Sequence, residues 1–180
     1  PFFTGKPLLL STSLSVFTWI LGLAALFGNA FVVVWRYIKQ GDEDAVQSAL
    51  IMNLALSDLL MGMYLLIIAS ADAYFGKEFP LHSHRWVFTG ACDFAGLLSV
   101  TSSEASVFFV TLISIDRYIR VVHPHTKYRL RIRSTYVASM IMWSLAFVIG
   151  LIPLVLKKTN SGFYDMSEVC IGLPLVKRPI

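Results

Sequence analysis

Charge is scarce in this 180-residue sequence: Asp, Glu, Lys and Arg make up 14% of it, against about 25% in a soluble domain. The hydrophobic share is 56% and the mean hydropathy is +0.68. That balance argues against a water-soluble domain, a disordered tail and a coiled coil, and for a chain whose main solvent is lipid. Cysteine is scarce too. Cys92 and Cys170 are too few for a disulfide-built miniprotein and enough for one bridge. No Met precedes Met52, and Lys177-Arg178-Pro179-Ile180 does not read as a natural stop. We therefore expect an internal piece of a longer chain. The apolar opening has no basic n-region and no small-residue cleavage site, so it is not read as a signal peptide. The net charge of +4 does not suggest nucleic-acid binding, because the basic residues sit between apolar runs, where they would lie near a membrane surface.

What the sequence does have is four long apolar runs. Leu8–Trp35 carries no Asp, Glu, Lys or Arg in 28 residues, and Ser134–Leu156 none in 23. A helix needs about 20 such residues to cross the hydrocarbon layer. Ala49–Phe75 carries Asp58 and Asp72, and Cys92–Val122 carries Asp93, Glu104, Asp116, Arg117 and, near its end, Arg120. Backbone groups in lipid must bond within their own segment, so each run is expected to be helical. The reading is an all-α transmembrane bundle with helices at about 8–36, 47–75, 92–122 and 134–156, and a loop over 157–180. Six basic residues fall within Arg117–Arg133, and the positive-inside rule places that connection in the cytoplasm. Both cysteines fall on the opposite side, and oxidised cysteines persist outside the cell. The N-terminus is then extracellular.

The charges inside the spans are the informative residues. A carboxylate at mid-bilayer costs about 2.5–3.5 kcal/mol on insertion scales. Asp58 should therefore face protein or trapped water, either as a packed acid bonded to a neighbouring helix or as a polar site that takes a cation or a proton. Asn29 from the first span and Ser106 from the third are the expected partners. In the third span Ser99, Ser103, Ser106, Val110, Ile113 and Arg117 recur at three or four residues and share a face, expected to point into the bundle. Glu104 lies about 200° round from Ser106 and is expected to hydrogen-bond a different helix. Asp116-Arg117-Tyr118 ends that span. The pair is either solvated or a contact that can break and re-form. His82-x-His84 lacks a third ligand and is weak evidence for a metal.

Taken in order, these motifs resemble the rhodopsin-like G-protein-coupled receptors. Gly28-Asn29, Asn53-Leu54-Ala55-Leu56-Ser57-Asp58-Leu59-Leu60, Trp86, Gly90 and Cys92, Ser106, Asp116-Arg117-Tyr118 with Pro124, Trp143 with Pro153, and Cys170 follow that family's pattern across helices one to four. Met61-Gly62-Met63-Tyr64-Leu65, Ile68-Ala69-Ser70-Ala71-Asp72, Ser102–Val107 and Leu173-Pro174-Leu175 look like the leucine-rich-repeat-containing glycoprotein-hormone and relaxin-type receptors. The resemblance implies four of seven helices. It implies an allosteric sodium site at Asp58 and Ser106 with Asn29 nearby, and a Cys92–Cys170 bridge, with two free buried thiols as the plain alternative. It also implies an Arg117 held by Asp116 and released toward a G protein, and a kink at Pro153; Trp143 is read as packing.

The sequence departs from the pattern twice. Ser99 stands where aminergic receptors carry Asp, so a cationic amine loses its counter-ion. His125 stands where a bulky apolar residue usually meets the G protein. No nucleophile–base pair, phosphate loop or complete metal site is present in the sequence, and no enzyme is expected. The function implied is a plasma-membrane receptor that passes binding of an extracellular peptide or protein hormone to a heterotrimeric G protein, with no cofactor beyond a possible structural sodium ion. The alternatives are a receptor for a small non-aminergic ligand and an ion-coupled transporter or channel subunit; the latter leaves Asp116-Arg117-Tyr118 unexplained.

Overall fold

Four helices form where the apolar runs lie. A computed structural model describes residues 9, 12–39, 45–76, 86, 89–122, 130–159 and 170, without the side chains of 156–159. The helices are α1 (Thr12–Ile38), α2 (Ala45–Phe75), α3 (Gly90–Val122) and α4 (Ile132–Thr159). Each is long and apolar enough to cross a membrane. The motif residues His82, His84, Pro124, His125 and Leu173–Leu175 lie outside the described residues, as does most of the expected loop 157–180.

Local chemistry sets several helix ends. The Thr89 hydroxyl accepts the Cys92 amide at 3.3 Å, an N-cap that satisfies one of the orphan donors at the start of α3. Gly76 follows α2 with φ +48°, a left-handed conformation that glycine adopts without a Cβ penalty and that commonly closes helices. At the end of α1, Lys39 returns its amide to the Trp35 carbonyl at 3.0 Å and sets its ammonium 4.8 Å from the Trp35 ring centroid. Pro153 sits inside α4, where it leaves the Ile149 carbonyl without its usual donor.

α2 is the hub. It packs against α1, α3 and α4, while α1 touches α2 alone among the described helices. Only 6% of the most apolar window of α1 is buried, and its Phe17, Leu21, Phe27 and Phe31 remain exposed. That exposure suits a helix whose other surroundings are acyl chains. Two apolar clusters hold the bundle. One joins Tyr64, Ile68 and Ala71 of α2 to Ala95 and Leu98 of α3, with Trp86 and both cysteines. The other joins Val46 and Leu50 to Ala105, Phe109 and Ala146.

α1 and α2 approach closely because glycines meet. A Cβ on Gly62 would lie 3.1 Å from the Leu26 amide nitrogen and 3.2 Å from the Gly22 carbonyl oxygen. Both are backbone atoms that cannot step aside, the small-residue packing expected between membrane helices. Gly62→Val should therefore push α1 off α2 and destabilise the full-length protein by about 1–3 kcal/mol. Thermal unfolding in detergent or nanodiscs measures it, and an unchanged midpoint would refute the close crossing.

Candidate functional site

The polar residues inside the spans meet across α2 and α3. Asp58 is half-buried, and the Ser106 hydroxyl donates to its Oδ1 at 2.9 Å. Ser57, fully buried, lies 2.9 Å from the same Ser106 oxygen and 2.7 Å from the Leu54 carbonyl oxygen. Three contacts thus depend on two hydroxyl hydrogens. When Ser106 gives its hydrogen to the carboxylate, Ser57 serves either Ser106 or Leu54; when Ser106 turns to Ser57, the carboxylate loses its donor. The chain of contacts is short, with Ser57 buried and Asp58 and Ser106 half-buried, and its hydroxyls can turn without moving a helix. Its donor set is oxygen throughout, the kind of atom a hard cation prefers.

Asn29 takes no part in that chain. Its amide nitrogen donates to the Ala25 carbonyl of its own helix at 2.9 Å, and no hydrogen bond to Asp58 occurs among the described residues. A short amide side chain reaches back along its helix more readily than across to the next. The expected partnership of Asp58 with Asn29 is corrected accordingly, whereas that with Ser106 is formed.

A second polar tie crosses α2 and α4. Trp143 Nε1 donates to Asn53 Oδ1 at 2.9 Å, and the Asn53 amide donates to the Ala49 carbonyl at 2.8 Å. Trp143 also packs on Phe109, with ring centroids 5.8 Å apart. Trp143 is thus packing, as read, and a hydrogen-bond donor besides. Both residues carry polar atoms within apolar runs, which was the available signal; their separation of 90 positions hid the pairing. Ser99 is buried and shares a side-chain hydrogen bond with Tyr64.

Among the described helices the stripe expected to face the bundle is covered only in part. Ser103, Val110 and Arg117 are exposed, and the buried positions of α3 are Ala95, Leu98, Ser99, Ser102, Ala105 and Phe109, among others. α2 and α4 are the described helices that α3 touches, and they set which of these positions they cover. Glu104 is half-buried, and among the described residues it makes none of the interhelix hydrogen bonds expected of it.

At the far end of α3, Asp116 is buried and pairs with Arg120, Nε to Oδ2 2.8 Å. Arg117 and Tyr118 are exposed. The expected Asp116–Arg117 pair is replaced for a geometric reason: residues four apart stack on one helix face, whereas neighbours diverge by about 100°. At the opposite end, Cys92 and Cys170 form a disulfide, Cα–Cα 5.4 Å, both fully buried. There too the backbone amide of Leu9 donates to the buried carboxylate of Asp72 at 3.0 Å, a contact the sequence did not reveal.

The pattern that defines the "7 transmembrane receptor (rhodopsin family)" matches residues 28–175. The chain belongs to this family. It is 40% identical over 160 residues to "G-protein coupled receptor GRL101" of Lymnaea stagnalis, covering 89% of this chain and 14% of that protein. It is 34% identical over 167 residues to relaxin receptor 1 of Rattus norvegicus, covering 92% and 22%. It is 34% identical over 163 residues to the thyrotropin receptor of Ovis aries, covering 90% and 20%. The chain thus spans less than a quarter of the length of these relatives. They match the subgroup that the motifs resemble, and they are receptors rather than enzymes. This receptor chain is a multi-pass membrane protein and forms part of a transmembrane helical bundle.

The disulfide closes a stretch of 78 positions, worth of order 4 kcal/mol in the chain-entropy picture. Cys92→Ser and Cys170→Ser should each lower surface expression of the full-length receptor, and the double variant should be little worse than either. Fully additive losses in a surface-labelling assay would argue against the bridge.

Proposed function

We propose that this receptor chain conveys binding of an extracellular peptide or protein hormone to a heterotrimeric G protein at the plasma membrane, and that sodium held at Asp58 favours its inactive state. The contact between Asp58 and Ser106 carries the reading. It joins two membrane helices through an ionisable group that lipid would penalise, and its strength changes if either helix moves. A ligand that prefers one arrangement of those helices shifts the population of both.

In this reading the disulfide end faces the oxidising exterior and the N-terminus is extracellular. Asp58, Ser106 and Ser57 hold the cation; Asn29 belongs to its surroundings. Sodium supplies positive charge beside a carboxylate that otherwise relies on one hydroxyl. At the opposite end Arg120 occupies Asp116, which leaves Arg117 presented for the G protein. The hormone class rests on similarity to the relaxin and thyrotropin receptors. The buried Ser99, in place of an acid, speaks against a cationic amine.

Guanine-nucleotide exchange on added heterotrimeric G protein tests both halves in membranes carrying the full-length receptor. Sodium in place of an organic cation at constant ionic strength should lower basal exchange about fivefold or more, within the usual range of allosteric coupling. Asp58→Asn should abolish that response, and Arg117→Ala should remove exchange while leaving expression intact. A sodium response preserved in Asp58→Asn would remove the ion site; exchange preserved in Arg117→Ala would remove the switch.

A further inference from the structure

Asp116 is buried near the end of α3. Arg117 and Arg120 share its helix, and Arg131 and Arg133 lie around the start of α4. Among the described residues Arg120 is the cation that pairs with it, Nε to Oδ2 2.8 Å, the two side chains being 22% and 5% exposed. A buried carboxylate stripped of its cation is costly, so Asp116 holds on to whichever guanidinium reaches it best.

Two compete for it on α3. Positions four apart lie on one helix face, whereas adjacent ones diverge by about 100°. The long Arg117 side chain can cross that angle only by bending back on its own helix. Helix phase therefore ranks Arg120 first and Arg117 second. Both choices lie within one helix, so the ranking does not depend on how other helices pack. While Arg120 holds the carboxylate, Arg117 stays exposed, without an ion pair among the described residues.

We propose that Arg120 is a positioning residue: it occupies Asp116 and so keeps Arg117 off that carboxylate. Removing Arg120 hands Asp116 to Arg117. The sequence pattern alone suggested a resting state in which Asp116 holds Arg117; here a third residue decides whether that pair can form. The consequence for signalling rests on the role proposed above for Arg117 toward the G protein. An Arg117 drawn onto Asp116 is withdrawn from that partner, so Arg120 sustains exchange in the absence of hormone.

Phenylglyoxal, a dicarbonyl that condenses with uncovered guanidinium groups, reads the placement without a G protein. The full-length receptor in nanodiscs would be treated with it, and the rate of modification at Arg117 followed by mass spectrometry. Arg117 should react readily in the unaltered receptor. Arg120→Ala should slow that reaction about threefold or more. Arg120→Lys, which keeps a cation four residues on, should not. In the Asp116→Asn background, Arg120→Ala should change nothing. Basal guanine-nucleotide exchange on added G protein should fall by a similar factor in Arg120→Ala and recover in Arg120→Lys. If Arg120→Ala fails to fold, Arg120→Gln takes its place. An Arg117 rate unchanged by Arg120→Ala, or slowed as much alongside Asp116→Asn, would overturn the proposal. Slowed labelling with unchanged exchange would uphold the positioning and overturn the role of Arg117 in coupling.

Discussion

The structure depends on how a carboxylate is kept inside an apolar layer. Asp58 lies well within α2, and lipid would penalise it by about 2.5–3.5 kcal/mol or more. The bundle answers with a hydroxyl from α3 at 2.9 Å and a second hydroxyl, Ser57, behind it. This places α2 at the centre. Gly62 lets α1 close on one side, Asn53 binds Trp143 of α4 on another, and Ser106 supplies the donor from a third. Each contact constrains the rotation of α2 about its axis, and so constrains where Asp58 points.

The same arrangement suits a signalling protein better than a rigid one. Three contacts served by two hydroxyl hydrogens have more than one satisfactory pattern, so the polar core can change state at small cost. The two ends of α3 differ in character. One is fixed by a buried disulfide and a capping threonine. The other presents an exposed Arg117 beside the pair of buried Asp116 with half-buried Arg120. A helix anchored at one end and polar at the other can convey a shift from the first to the second.

Much of this was legible in the sequence, for physical reasons. Long runs without charge have one stable home, so the four spans followed from composition. Asp58 drew attention by its cost, and Ser106 by its place in a polar stripe. The order of motifs pointed to the receptor family that the wider comparison shows. What stayed hidden was geometry that spacing cannot decide. Asp116 chose Arg120 over its neighbour Arg117 because of helix phase. Asn29 turned back on Ala25 rather than across to Asp58. The buried face of α3 was set by which helices lie beside it, and the Ser99–Arg117 stripe showed only that a polar face exists. Asn53 with Trp143, and Asp72 with the Leu9 amide, join residues far apart in the chain, and no local pattern announces such pairs.

If Ser106 shelters Asp58, a double-mutant cycle on the two residues will register their dependence. Asp58→Ala, Ser106→Ala and the double variant would be compared by thermal unfolding of the full-length receptor in nanodiscs. Strong non-additivity is expected, a coupling of about 0.5–3 kcal/mol as found for residues in one hydrogen-bonded network. Additive losses within a few tenths of a kcal/mol would show that the two side chains do not depend on each other, and would contradict that shelter.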